Sequence, residues 1–431
     1  MTYKIVTIQN NSFIFFPYTL TIYPYDENVE RAIELDDIKN GMNDGDAMQN
    51  TMKKLKDAEI ENANLIDVNR NFTKPEIRGF QINIAYACNM ECRYCFAGDG
   101  AHNNSGNLKV KLTDKILDFV EANSTGKIVI HIVGGEPLVD FPAFKYLVEK
   151  FRIRLGDRVH FTTTINGLLI DENILQFFKE FNIEYMVSLD SCSKEVNDFL
   201  RKSKNGISSY KKIICDFKQY KDRYGYDSFH ITVTPYNLNF SDTLKYLYDM
   251  GAYHISVDFV KSTDQEFIFD KNSVEIIRKE CRKVEDIILQ NIRSKNNISC
   301  HPILTRIGRI HQRRPLLNRC GIYSSLFSCD PKGKIYPCDM LMWNQYKIGD
   351  IFQGIDTDTV KEMYEQNSQG EMCKTCWARL LCGGMCAADL ILYKDQVDKL
   401  CELRKILMET RLRLYIRIRQ EGLEFDFDKF L

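Results

Sequence analysis

The chain has 431 residues, 44% hydrophobic and 27% charged, with a formal net charge of −1 at neutral pH. That length allows two or three domains with full cores, and a balance so near zero gives no overall field to draw nucleic acid or an anionic membrane surface. No apolar run approaches the roughly 20 residues that span a bilayer, and Met1-Thr2-Tyr3-Lys4 opens a strand-like stretch instead of a signal peptide, so the expectation is a cytoplasmic protein with no nucleic-acid and no membrane partner.

Residues 1–75 read as a small α+β unit. Phe13–Phe16 and Tyr18–Tyr25 are rich in aromatic and β-branched residues, which suits two short strands. Asp26–Ala58 is polar with helically spaced Ala47, Met48, Met52 and Leu55, and Glu61–Lys74 reads as a linker. Residues 76–300 alternate strand and helix. Strand-like runs are Ile82–Ala87, Ile128–Val133, His160–Ile165, Tyr185–Leu189, His230–Thr234 and His254–Val260. Helical patterns lie between them at Thr113–Ala122, Pro142–Phe151, Glu172–Glu180, Ser208–Tyr220 and Ser241–Met250, and a sixth spans Val274–Ile292. Pro142 suits a first helical turn, Ser241 an N-cap and Gly251 a C-terminal cap. Six β-α units predict a parallel sheet in an α/β fold, an open partial (β/α)6 barrel with its chemistry at the C-terminal strand ends. Residues 301–431 turn to short loops, glycines and cysteines, as in a cluster-binding domain whose metal replaces part of the core, followed by a basic helix over Cys401–Arg419.

Fifteen cysteines are many for such a chain. A reducing cytosol argues against disulfides and makes clustered cysteines point to metal. Eleven lie in two groups, Cys88–Cys95 and Cys320–Cys401; Cys192, Cys215, Cys281 and Cys300 are scattered and read as small hydrophobes. Cys88, Cys92 and Cys95 share one loop directly after the first barrel strand. Three thiolates on a loop can hold three corners of a four-iron cluster and leave one iron open, whereas a zinc site takes four donors, and His102 is the nearest histidine.

C-x3-C-x2-C after the first strand of a six-unit β/α sheet, with Tyr94 before the last cysteine, resembles the signature of the radical S-adenosylmethionine (SAM) superfamily. The resemblance implies a [4Fe–4S] cluster whose open iron binds SAM and whose electron cleaves it to a 5′-deoxyadenosyl radical, with an electron donor such as flavodoxin or ferredoxin. Further motifs fall at the right strand ends. Gly134-Gly135-Glu136-Pro137 resembles the motif for the SAM amino group, its glycines admitting close backbone approach to a ligand. Thr164-Ile165-Asn166-Gly167 resembles the family's Thr-Asn-Gly, from which Ile165 departs. Ser188-Leu189-Asp190 falls where polar contacts to SAM are made, with Ser191 in place of the usual glycine. Arg201 lies where relatives hold the SAM carboxylate, the alternative being a solvated surface arginine. His131, in a strand, reads as a core histidine.

The second group is similar to the SPASM extension of that superfamily: Cys320-x12-Gly333-x4-Cys338, then Cys373-x2-Cys376-x5-Cys382-x3-Cys386, then Cys401. The resemblance divides the ligands between two auxiliary [4Fe–4S] clusters, one on Cys320, Cys338 and Cys386 and one on Cys373, Cys376, Cys382 and Cys401, making three clusters in all. Cys329 is either a fourth ligand of the first or a buried thiol beside it. Gly333 is a turn glycine. Tyr336-Pro337-Cys338-Asp339 resembles sulfatase-maturating relatives, which implies Asp339 as a catalytic base; the alternative is a loop aspartate capping amides. A pair of structural zinc sites is the competing use of these cysteines.

SPASM relatives modify peptides, so the resemblance implies a peptide maturase for a ribosomally made precursor, forming a thioether or carbon–carbon cross-link. Cys95-Phe-Ala-Gly-Asp-Gly resembles maturases of cysteine-rich peptides, and the unit before residue 75 resembles leader-recognition elements in size and position, where a sheet edge could take a leader as an added strand. The alternatives are an anaerobic formylglycine-generating sulfatase maturase and a non-enzymatic zinc-binding interaction protein.

Overall fold

The structure is a computed structural model and describes residues 3–30, 47–68, 72, 75–98, 105–367 and 371–431. It opens with an antiparallel sheet of β1 (Lys4–Ile8), β2 (Asn11–Phe16) and β3 (Thr21–Tyr25), with β2 in the middle. Strand alternation splits its side chains between two layers. Ile14 and Phe16 pack with Val29 and with Met52 of the helix Ala47–Val68, while Val6, Ile8 and Phe15 join the main core. The helix is one continuous run that extends into the segment read as a linker from Glu61; residues 69–71 and 73–74 of that segment lie outside the described residues. Buried Glu59 fixes the helix to the β2–β3 turn by accepting the Tyr18 amide at 3.0 Å and the Thr19 amide. The far side of the sheet leans on the C-terminal region through Lys4–Glu409 (3.0 Å) and Phe15 edge-on to Trp377.

The barrel strands are β4 (Gly79–Asn83), then β5 (Met90–Cys92) in the cysteine loop, β6 (Ile128–Val133), β7 (Val159–Ile165), β8 (Ile183–Ser188), β9 (Arg201–Ser203), β10 (Ser228–Val233), β11 (His254–Phe259) and β12 (Ser299–His301). The cysteine-rich region adds β13 (Leu326–Cys329), β14 (Lys334–Tyr336), β15 (Gly349–Asp350) and β16 (Gly354–Ile355). One sheet runs β12-β11-β10-β8-β7-β6-β4-β13-β14-β15-β16 and does not close, since β12 and β16 remain edges. Every pairing from β12 to β13 is parallel; β13 continues the barrel sheet beside β4, Leu326 opposite Gly79 and Cys329 opposite Ile82, before the hairpins turn antiparallel. The auxiliary region is thus an extension of the barrel's first strand.

The alternation on these strands decides what fills the barrel. Ile128, Ile130 and Ile132 are fully buried among the apolar core, as are Phe229, Ile231 and Val233. The opposite register carries His131, Thr162, Thr164, His230, Thr232 and Asp258, which line the hollow. Closed barrels fill this space with branched aliphatics; here it is polar. His131 accords with its reading as a satisfied core histidine: it is held 2.8 Å from the Thr162 hydroxyl, and burial lowers its basicity.

Three expectations need correction. A seventh parallel strand, β12, was not visible in the sequence because three residues are too few to show a period. β4 starts three residues before Ile82 and ends at Asn83, after which Ala85 pairs with Asn107 and leads into the cysteines. Ser241 is no N-cap: the helix starts at Phe240, and the Ser241 hydroxyl donates to buried Glu280. Pro142 does sit in a first turn, Gly251 follows a helix end with φ +93°, and Gly333 turns β13 into β14 with φ +84°. The C-terminal helix begins at Val397 and packs on the helix Lys271–Arg293, with Glu285 accepting from Arg413 and Arg417, each at 2.9 Å. Among the described residues, no helix is long and apolar enough to cross a membrane.

Candidate active site

The cysteine loop is pinned from two sides. β5 pairs antiparallel with β9, which puts Cys92 opposite Arg201. On the other side the Gly135 amide donates to the Ala85 carbonyl (2.8 Å) and the Glu136 amide to the Ala87 carbonyl (2.9 Å). A Cβ on Gly134 would lie 2.7 Å from the Ala85 oxygen, and one on Gly135 2.5 Å from the Ala87 oxygen. These glycines therefore admit the backbone that leads into Cys88, a neighbour the sequence reading did not foresee when it reserved them for a ligand.

Glu136 is buried and fully occupied. One oxygen accepts the Leu138 amide (3.1 Å) and the other the Asn166 amide (2.7 Å). Burial pushes its carboxyl up to about 7 against the pull of those amides. Asn166 continues the tie: its side-chain amide donates to Asn89 (2.6 Å) within the cysteine loop. The ends of β6 and β7 and the loop are thus one hydrogen-bonded unit.

Opposite lies a buried triad. The Tyr94 hydroxyl donates to the Asp190 carboxylate, and Arg201 Nη1 donates to the Tyr94 oxygen at 2.9 Å. Asp190, fully buried, also accepts the Thr232 amide (2.9 Å), joining β8 and β10. Arg201 is 6% exposed, which removes the reading as a surface arginine, and its Nε is buried without a hydrogen-bond partner. Arg201 also lines the cavity between these groups, and a guanidinium in a cavity wall is a group that pairs with a ligand carboxylate.

These groups enclose a cavity of about 520 Å³. Its walls carry Cys88, Cys92 and Cys95, the predicted Tyr94, Gly135, Glu136, Asn166, Ser188 and Arg201, and Asp339 from the cysteine-rich region. Gly134 stands behind this wall, against Ala85. Burial raises the Cys88 thiol and pushes Cys92 up to about 12, and the three thiols act on one another. Thiols that ligate a metal are held as thiolates, so metal binding would release their protons. Among the described residues no three metal-binding side chains converge on one ion; a four-iron cluster takes each thiolate on its own iron, and for that the loop cysteines need only share a cavity. Donor set and spare guanidinium both fit a cluster with SAM.

The remaining cysteines fall into two neighbourhoods. Cys338 is raised by burial, with Asp339, Cys386 and Cys320 beside it. Cys373 is raised by burial with Cys376 and Cys382 near, and Cys401 by burial with Cys373 and Cys382 near. Cys329 stands apart. It is fully buried in the apolar core, its thiol donates to the Asp330 carbonyl (3.4 Å), and burial and the Asp330 carboxylate raise it, with no contribution from Cys320, Cys338 or Cys386. Asp339 is held over the cavity because its amide donates to Gln81 of β4 (3.2 Å), and one of its oxygens accepts the Met340 amide (3.0 Å).

Sequence reasoning missed several groups at this site. Asp258 and His230, side by side at 3.4 Å, and Lys261 and Arg319 all line the cavity. Alternation on β10 and β11 was the available signal for the first two; Arg319, next to Cys320, had none.

Residues 82–250 match the model of the radical SAM superfamily. The chain is similar to a cysteine-type anaerobic sulfatase-maturating enzyme of Clostridium novyi, 25% identical over 69% of this chain and 84% of that one. It is also similar to the radical SAM cyclopropyl synthase TigE of Paramaledivibacter caminithermalis, 19% identical over 84% and 79%. Among solved structures, anSMEcpe with bound AdoMet and the Kp18Cys peptide superposes with a TM-score of 0.65 at 19% identity, over 80% of this chain and 99% of that one. Streptococcus suis SuiB bound to its precursor peptide SuiA superposes at 0.53 and 16%, over 90% and 95%. The reading as a non-enzymatic zinc protein is thereby set aside. Residues 82–250 carry the radical SAM match, and the chain is a radical SAM enzyme of SAM and [4Fe–4S] chemistry, similar in sequence to the anaerobic sulfatase-maturating enzymes and to TigE, with a fold it shares with SuiB.

Proposed function

We propose that this enzyme is a peptide maturase with three [4Fe–4S] clusters, which oxidises a residue of a ribosomally made precursor and closes a thioether or carbon–carbon cross-link. The observation that carries the reading is the single cavity shared by three loop thiols, an arginine with an unpartnered Nε, and Asp339 from the auxiliary region. When bound, the cluster and SAM supply a 5′-deoxyadenosyl radical that removes a hydrogen atom from an unactivated C–H.

The chain's residues do the rest. Cys88, Cys92 and Cys95 would hold the cluster. Arg201 takes the SAM carboxylate, its approach fixed by Tyr94 and Asp190. Glu136 and Asn166 hold the loop at the strand ends, so that the ligand meets a preset wall. Asp339 accepts the proton that the oxidised residue loses. Cys320, Cys338 and Cys386 hold one auxiliary cluster, and Cys373, Cys376, Cys382 and Cys401 the other. With Cys329 facing the core, the first set supplies three protein thiolates.

The N-terminal sheet favours a precursor with a leader. β1 leans on the C-terminal helix, where Arg413 donates to the Thr7 carbonyl, while β3 forms the other edge. A leader could add to the β3 edge as a further strand. A second reading, formylglycine formation on a sulfatase, is favoured by Asp339 in its Tyr-Pro-Cys-Asp context and by the likeness to sulfatase-maturating enzymes. Mass spectrometry of co-expressed peptides separates the two. A loss of two hydrogens per site with a cross-linked fragment pattern supports cross-linking; conversion of a cysteine or serine to an aldehyde supports the other; an unmodified peptide in every case overturns both.

A further inference from the structure

A groove of about 640 Å³ lies beside the chain that leads into the cysteine loop and shares no lining residue with the SAM cavity. Four exposed lysines line it, Lys109, Lys111 and Lys115 around the start of the helix Val110–Ala122 and Lys332 in the β13–β14 turn, and no acidic residue does. Among the described residues only Lys115 of the four has an ion pair, with Asp118 at 3.4 Å, and both side chains stand about half in solvent, where such a pair is worth little. The neighbouring carboxylates are engaged elsewhere. Asp140 accepts from the Asn107 side chain (2.9 Å) and the Ala143 amide (3.1 Å). Asp330 is 2% exposed and accepts from the Tyr86 and Tyr336 hydroxyls (3.1 and 3.4 Å) and from the Lys332 and Lys334 amides (each 2.9 Å). Leu112, Pro331 and Phe352 supply apolar surface, and the Phe352 side chain is 69% exposed. An exposed aromatic among cations of one sign suits a protein partner whose own surface is acidic.

The groove wall is bonded to the backbone that carries Cys88. The Tyr86 amide donates to the Gly106 carbonyl at 3.3 Å, Ala85 pairs with Asn107, and Lys332 Nζ lies 5.9 Å from the centre of the Tyr86 ring. Tyr86 is 1% exposed, and Cys88 follows two residues later, at most about 7 Å away between Cα atoms. A partner seated here is close to the cysteine loop but separated from the cavity by packed chain. Atoms do not cross such a wall, whereas an electron does. That separation favours an electron carrier over the reacting segment of a peptide.

We infer that this groove docks an acidic one-electron carrier protein of the flavodoxin type, which delivers across Tyr86 the electron that SAM cleavage consumes. The inference rests on the reading of Cys88, Cys92 and Cys95 as the cluster loop. The carrier is oxidised by one electron, and the C–S bond of SAM that this electron breaks yields methionine and the 5′-deoxyadenosyl radical. The lysines touch neither SAM nor the peptide; they draw in and orient the carrier.

The test uses full-length, anaerobically reconstituted protein and a purified bacterial flavodoxin. Binding of oxidised flavodoxin, followed by titration calorimetry, should weaken with added salt. Lys109→Glu/Lys111→Glu should bind at least about tenfold more weakly; acidic residues suit a helix start, so this variant keeps its fold. Lys332→Gln, on the other wall, should weaken binding in the same direction, while Lys218→Glu, on the exposed face of the helix Ser209–Tyr224, should bind as the parent does. Formation of 5′-deoxyadenosine with reduced flavodoxin should fall in the groove variants, and formation with dithionite, which needs no docking surface, should stay at the parental rate. Parental affinity in both groove variants would overturn the docking site. A polyglutamate peptide that binds the parent but not the variants, with no binding of flavodoxin, would overturn the carrier and assign the groove to an acidic peptide. A parent that forms no 5′-deoxyadenosine even with dithionite would overturn the SAM reading beneath.

Discussion

Replacing Gly135 with alanine tests whether the Gly134-Gly135-Glu136-Pro137 turn serves the cysteine loop as a packing surface. The added methyl would lie 2.5 Å from the Ala87 oxygen, 2.7 Å from the Tyr86 oxygen and 2.8 Å from the Ala87 carbonyl carbon. All three are backbone atoms, so no side chain can rotate away. Overpacking of this kind costs about 1–3 kcal/mol, and with backbone on one side the upper end applies. Against a typical total of roughly 5–15 kcal/mol the protein still folds. Relief comes from pushing Tyr86-Ala87 aside, which breaks the 2.9 Å bond from the Glu136 amide and displaces Cys88 in the next position. The expected result in urea unfolding is a loss of about 2–3 kcal/mol, and in anaerobic reconstitution a loss of roughly four of twelve irons, the auxiliary clusters remaining. Gly126→Ala is the control: nothing lies within 4 Å of its added methyl, and it should be neutral or slightly stabilising. A Gly135→Ala protein with parental stability and full iron would refute the reasoning.

Arg201→Met should weaken SAM binding in equilibrium dialysis by at least tenfold, since a charge-assisted hydrogen bond is worth about 1.5–3 kcal/mol, and Arg201→Lys should restore little of it because a point charge cannot make the fork; unchanged affinity in both contradicts the assignment. Cys329→Ala should retain all iron while costing roughly 1–2 kcal/mol of packing, whereas Cys373→Ala should lose an auxiliary cluster; iron loss in the former would make Cys329 a ligand. Burial pushes His301 down to about 4, with Arg306, Arg411 and Arg319 acting the same way and Asp258 against them. The unfolded chain therefore binds this proton first, and the metal-free protein should lose up to roughly 3 kcal/mol as pH falls from about 6.5 to 4; His301→Gln should flatten that slope in urea titrations, and an identical slope would contradict it.

Much of this fold was written in periodicities long enough to read. β6 and the helix Glu172–Glu180 occupy the residues their patterns predict. The three-residue β12 and the Ser241 cap were misread for a shared reason: both depend on tertiary partners, β11 and Glu280, that no local window contains. At the site the grouping of Cys88, Cys92 and Cys95 was legible because they share one loop, and that loop brings them to one cavity. The glycines were legible as glycines but not as the seat of Tyr86-Ala87. The burial of Arg411 was invisible, since which arginine a fold buries is a fact of packing alone.

The central claim is that Cys88, Cys92 and Cys95 jointly support reductive cleavage of SAM. The direct measurement is 5′-deoxyadenosine formed by anaerobically reconstituted protein with dithionite, compared with the triple alanine variant at known iron content. The account predicts nucleoside from the parent and none from a variant that still holds its remaining clusters. Equal nucleoside from both, or none from a fully loaded parent, would contradict it.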